Sequence, residues 1–185
     1  MRLPAPFRLA LALILATTTL HAHRPFEITS VARLQHGRLE FTVIISPTLG
    51  NLLVHDAAQP EAPNLDAASI ERYRKRLLTL AAGFYEVRDG EALLKAEQIR
   101  VEINKTQEPE FTFIYPAPVT GPLQVRVVGL VAHGPEGFNV LRVYDDNERM
   151  LAGKLLIPGG PDSQLVVPLN TTPASPAPSH SKTSP

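Results

Sequence analysis

The chain contains no cysteine and no tryptophan, and its 18 lysines and arginines are balanced by 18 aspartates and glutamates. Each absence removes a class of function. Without cysteine there is no disulfide, no thiolate nucleophile, no iron–sulfur cluster and no cysteine-held zinc. An exported fold of this composition must be held by burial alone. The formal net charge of zero offers no field to gather nucleic acid or an anionic membrane surface, so nucleic-acid binding is disfavoured. Past the N-terminal leader no apolar run approaches the roughly 20 residues that span a bilayer, so no transmembrane segment is expected after processing. Familiar catalytic signatures are missing too: no glycine-flanked nucleophilic serine, no phosphate-binding glycine loop and no His-Glu-x-x-His run. The expectation is a protein that is not an enzyme. Ser30, Ser46, Ser69 and Ser163 are each expected to bond nearby backbone.

What is present begins with an export leader. Arg2 and Arg8 supply its positive region, residues 9–16 its apolar run, and Leu20-His21-Ala22-His23 ends in the small residue that a signal peptidase requires. Residues 1–22 are therefore read as a signal peptide, with an uncleaved anchor as the alternative. A lipid anchor at the cut would need a cysteine. Residues 170–185 hold only proline, serine, threonine, alanine, asparagine, lysine and histidine, too little apolar surface to offset ordering entropy, and are expected to be a disordered tail. Residues 23–169 remain, the size of one domain. Their expected location is periplasmic or secreted.

Within that domain the dominant period is two. Phe26, Ile28, Ser30, Ala32 and Leu34 alternate with Glu27, Thr29, Val31 and Arg33, and after His36-Gly37 the pattern resumes at Leu39, Phe41, Val43 and Ile45. This spacing predicts a hairpin with one buried face. Pro47 is read as the end of its second strand, and residues 55–65 as a loop. Asp66 reads as an N-cap before Ile70, Tyr73, Leu77, Leu80 and Ala81, which recur at helical spacing. Further strands are expected over 85–88, 99–103, 110–115, 123–130, 140–144, 151–157 and 164–169, with Asp89-Gly90 as a turn. Asp145-Asp146-Asn147-Glu148 has the composition of a hairpin tip. Short strands at regular spacing with a single helix predict a mainly β protein, an antiparallel β-sandwich of the Ig-like kind with one inserted α-helix. A small β-barrel is the competing architecture, because periodicity leaves open whether a sheet closes.

Histidine is the one soft-to-borderline ligand type available. Of six, His21 leaves with the signal, His180 lies in the tail and His36 sits in a turn. The metal candidates are His23, His55 and His133. Cleavage after Ala22 would expose His23 as the mature N-terminus, where amine and imidazole chelate copper or another transition metal. His55 and His133 fall in loops, where binding groups concentrate. Solvated loop histidines are the simpler reading of all three. Pro25 has no amide proton for a square-planar chelate.

The start His23-Arg24-Pro25-Phe26-Glu27-Ile28, the segment Gly37-Arg38-Leu39-Glu40-Phe41-Thr42-Val43, and Phe111-Thr112-Phe113-Ile114-Tyr115-Pro116 followed by Gly121-Pro122-Leu123 resemble the exported N-terminal β-rich domain of HupE/UreJ-type membrane proteins. The resemblance covers most of residues 23 to 157. It implies a β-rich extracytoplasmic domain associated with a membrane system that handles nickel or cobalt. That family continues into a multi-helix membrane part, where this chain has its Pro/Ser/Thr tail, so the resemblance implies an accessory role with a membrane protein partner. It brings no catalytic residues. Only His23 matches with chemical content. A weaker likeness to copper-binding sandwiches of the CopC type rests on the same histidine, without the late Asp-x-His pair of those proteins. Two functions follow from the sequence: a partner-binding exported sandwich, or a transition-metal binder built on His23.

Overall fold

Alternation at period two builds the larger sheet from its centre. The structure, a computed structural model, describes residues 27–35, 38–56, 64–115, 119–130 and 139–169. In β1 (Ile28–Gln35) the residues Ile28, Ser30 and Ala32 are buried, and in β2 (Arg38–Ile45) so are Leu39, Phe41, Val43 and Ile45. The two strands pair antiparallel from Ile28↔Ile45 to Gln35↔Arg38, as the alternation requires. The hairpin turn, the signal segment and the Pro/Ser/Thr tail lie outside the described residues.

Pro47 does not merely end β2. It opens a helix, α1 (Pro47–Val54), in which Ser46 is the N-cap, its side chain accepting from Leu49 N at 3.2 Å. Proline at the first helical position surrenders an amide that has no intrahelical partner, so Ser-Pro here starts a helix as readily as it stops a strand. Among the described residues there are thus two α-helices rather than one. The second, α2 (Ile70–Ala81), buries Ile70, Leu77 and Ala81 at helical spacing. Asp66 organises the turn that leads into it, its carboxylate accepting from Ala68 N and Ser69 N at 3.0 and 2.8 Å.

Seven of the remaining elements are the predicted strands and one is a short addition: β3 (Tyr85–Asp89), β4 (Ala92–Leu93), β5 (Gln98–Ile103), β6 (Pro109–Tyr115), β7 (Leu123–Val127), β8 (Asn139–Tyr144), β9 (Met150–Leu156) and β10 (Gln164–Val167). A six-stranded sheet has the order β5-β6-β2-β1-β8-β9, and a four-stranded sheet the order β10-β7-β3-β4. Neither closes into a barrel. Among the described residues the pairings are antiparallel except one: β1 and β8 run parallel, in register from Ile28↔Asn139 to Arg33↔Tyr144. Periodicity within a strand encodes which face is buried and nothing about the direction of its partner.

The inward faces share one core. Phe41, Phe111, Leu141 and Val143 from the larger sheet meet Val87, Leu123, Val125 and Val167 from the smaller, and Leu49, Leu53 and Leu77 from the helices. Each such side chain contributes roughly 1.5–3 kcal/mol on burial, the only cohesive source of that size in a chain without disulfides. One polar cluster crosses this core. Tyr85 Oη accepts from Asn139 Nδ2 and shares a 2.9 Å bond with Ser30 Oγ, while its ring meets Phe41 edge-on with centroids 4.7 Å apart. Ser30 therefore bonds a side chain of the opposite sheet, and not local backbone as its position in the sequence suggests. Gly129 allows the exit of β7 to lie against the end of α2. A Cβ there would collide with the Gly83 carbonyl, and its amide donates to Phe84 O.

Candidate functional site

Of the expected metal ligands only His55 is among the described residues. No group of three histidine, aspartate or glutamate side chains there is placed to hold a metal ion. His55 is the exposed C-cap of α1, its amide donating to Leu52 O and its carbonyl accepting from Arg76 Nη2 at 2.9 Å. Its backbone closes a helix and its imidazole faces water. His23 and His133 lie outside the described residues. The parallel register nonetheless bears on them: Ile28 and Asn139 are neighbours, so the chain leading in from each histidine reaches the same end of adjacent strands. Five or six residues reach at most about 20 Å.

The paired carboxylates are a turn, as their composition predicts. Asp145 Oδ1 accepts from Asn147 N and Arg149 N, each at 2.9 Å, and its other oxygen from Arg149 Nε at 3.0 Å. The backbone donors, Arg149 N first among them, hold this carboxyl below its ordinary value. Glu86 is engaged similarly, held low by Arg126 and Arg88 across β3 and β7. Of these pairs only Glu86–Arg126 joins two strands, while Glu86–Arg88 runs along β3 and Asp145–Arg149 closes a turn.

The feature that stands apart is the outer edge of β9. Its inner edge pairs with β8 from Asn139↔Leu156 to Tyr144↔Met150, and no strand pairs with the other side among the described residues. Only Leu156 of this strand is buried. Leu155 and Ile157 are exposed by 46% and 45%, and Leu151 by 43%, an apolar row on a strand that is unpaired along one side. The register slips between Val143 and Tyr144, a bulge that leaves both Met150 and Leu151 outward. Arg142 of β8 lies opposite Gly153, whose missing side chain leaves the guanidinium uncovered within the apolar row. At the far end Arg33 sits over the Tyr144 ring at 5.9 Å.

Native edges are commonly guarded by an inward-pointing charge. Lys154 is such a residue, but its charge is taken up by Asp162 at 3.0 Å and its ammonium donates to Gln164 O at 3.1 Å. It ties β9 to the start of β10 and leaves the outer row apolar. The sequence marks 151–157 as a strand, and the sheet order with the exposure of Leu151, Leu155 and Ile157 shows its apolar residues to be a surface. No protein-family model matches the chain, and no curated protein matches it.

Proposed function

We propose that the chain is an exported, non-enzymatic β-sandwich that binds a protein partner of a membrane system by strand addition at β9. The single observation behind this reading is the unpaired edge with its exposed Leu151, Leu155 and Ile157. Such an edge presents backbone donors and acceptors in a row, which an extended segment of another chain satisfies while its alternate side chains cover the apolar face. Arg142 in the middle of that face favours an acidic residue between apolar ones in the partner. The leader and the likeness of residues 23 to 157 to exported domains of HupE/UreJ-type proteins support a location outside the cytosol and a membrane partner. No helix among the described residues is long and apolar enough to cross a membrane.

Site-specific photo-crosslinking in the native host tests this reading. A crosslinker at Leu155 is expected to give an adduct with one membrane-fraction protein, and one at Arg100 on the opposite edge is expected to give none. Equal labelling from both edges, or none from either, refutes it.

A second reading has one observation in its favour. Because β1 and β8 are parallel neighbours, Ile28 and Asn139 share one end of the sheet, and they follow His23 and His133 by five and six residues, a separation that a copper chelate joining the mature N-terminus to His133 can span. Cu(II) titration of processed protein against a form with one extra residue before His23 decides it. Tight binding that is lost on extension supports the chelate, and equal weak binding by both forms removes it.

A further inference from the structure

At the other side of the sandwich the sheets part. A cleft of about 380 Å³ opens between β3–β4 and β5–β6, under the segment that carries the chain from one sheet to the other. Leu94, Ile99 and Phe113 line it, with Leu93 and Val128, which are 53% and 43% exposed, among its lining residues. Single exposed apolar residues are ordinary. Two lining one cleft are not scattered.

Its polar groups are few and specific. Tyr115 lines the cleft and is 4% exposed, yet its hydroxyl makes no hydrogen bond among the described residues. Burial of the residue raises its phenol above the ordinary value with no hydrogen bond offsetting it, and the hydroxyl stands unpaired on the wall of the cleft. Tyr85 also lines the cleft, but its hydroxyl is already used by Ser30 and Asn139. Lys95 is exposed among the lining residues and forms no ion pair among the described residues. Glu86, the one lining carboxylate, has one oxygen on Arg88 Nε and the other on Arg126 Nη2, which offsets its repulsion of an anion.

From an apolar slot with an unpaired hydroxyl on its wall and a free ammonium we infer that the cleft binds a small hydroxyaryl carboxylate. The ring packs on Leu94, Ile99 and Phe113, the ligand hydroxyl bonds Tyr115 Oη, and the carboxylate sits at Lys95. The volume suits a single-ring ligand and is too small for a long-chain lipid, being near the lower end of the roughly 300–1,000 Å³ typical of small-molecule sites. The site is independent of β9, from which β6, β2, β1 and β8 separate the neighbouring edge strand.

The test titrates the full-length processed chain with 4-hydroxycinnamate, cinnamate and 4-hydroxycinnamyl alcohol, read by calorimetry and by NMR shifts at residues 93–96. The hydroxy acid is expected to bind saturably with the largest shifts there. Removing its hydroxyl is expected to weaken binding about fivefold to tenfold in the unaltered chain and not in Tyr115→Phe. Removing its charge is expected to do the same in the unaltered chain and not in Lys95→Gln. Absence of saturable binding, shifts centred elsewhere, or equal affinities across ligands and variants each overturn the proposal. Both substitutions are conservative in volume, and unchanged urea unfolding verifies that a lost affinity is not a lost fold.

Discussion

The two edges of the six-stranded sheet solve one problem in opposite ways. At β5 the outward positions are Gln98, Arg100 and Glu102, the first two bonded to each other at 2.9 Å, and helix α2 lies against the strand. Arg74 of that helix donates to Val101 O at 2.8 Å while a bidentate pair with Glu71 steadies its guanidinium. A carbonyl at this edge is thereby satisfied within the chain. At β9 the outward positions Leu151 and Leu155 are apolar and exposed, and the strand is met by β10 and the 3₁₀ turn Pro161–Ser163 rather than by α1 or α2. Unpaired edges invite association, so a chain that covers one edge and leaves the other apolar is directional. The difference teaches where to look for a partner.

The comparison is broken most severely by removing what covers β5. Leu77 on the inner face of α2 is fully buried, and Leu77→Ala is expected to cost about 2–5 kcal/mol in urea unfolding. Leu155→Ala at the other edge is expected to stay within about 0.5 kcal/mol. Similar costs at both sites would mean that β9 is covered after all. Next in size is the bond between the sheets. Tyr85→Phe leaves Ser30 and Asn139 buried without their partner and is expected to cost about 1–3 kcal/mol, measured by the same unfolding. Arg74→Met is expected to cost on the order of 1 kcal/mol and to speed amide exchange along β5 while leaving β9 unchanged.

The smallest effects are in pH, with opposite signs at the two ends. Asp145 titrates below its ordinary 3.8 in the folded chain, so its support of the β8–β9 tip is complete above that value and is lost as pH falls through the lowered one. Glu110 of β6 is displaced upward by burial and then by Glu102, which pairs directly opposite it. Its contribution is therefore complete below the ordinary 4.5 and is lost as pH rises through the raised value. Amide exchange followed on acidification is expected to loosen Asn147 and Arg149 while the β5–β6 pair tightens.

Much of this architecture is legible in the residues, and the exceptions have physical causes. Period-two alternation marks β1, β2 and β6 because one face is buried and the other wet. The Asp145 tip is legible because a carboxylate followed by Asn147 and Glu148 satisfies its own turn. Helix α1 escapes notice because eight residues with Leu49, Leu53 and Val54 buried are too short a window to separate from a loop after a strand. The Ser30–Tyr85 bond spans 55 positions, and no local pattern encodes it. Of the candidate ligands only His55 is among the described residues, and its loop position accords with its exposure; that Ile28 and Asn139 share one end of the sheet depends on a pairing direction that no spacing reveals.

By itself the sequence determined which residues turn inward, because apolar period and turn chemistry are local properties of the chain. Which strands became edges, and which edge was covered by α2 rather than left apolar, was decided only when distant segments paired. Pairing partner and direction depend on the summed burial of the whole sheet, a quantity that no short stretch of residues contains.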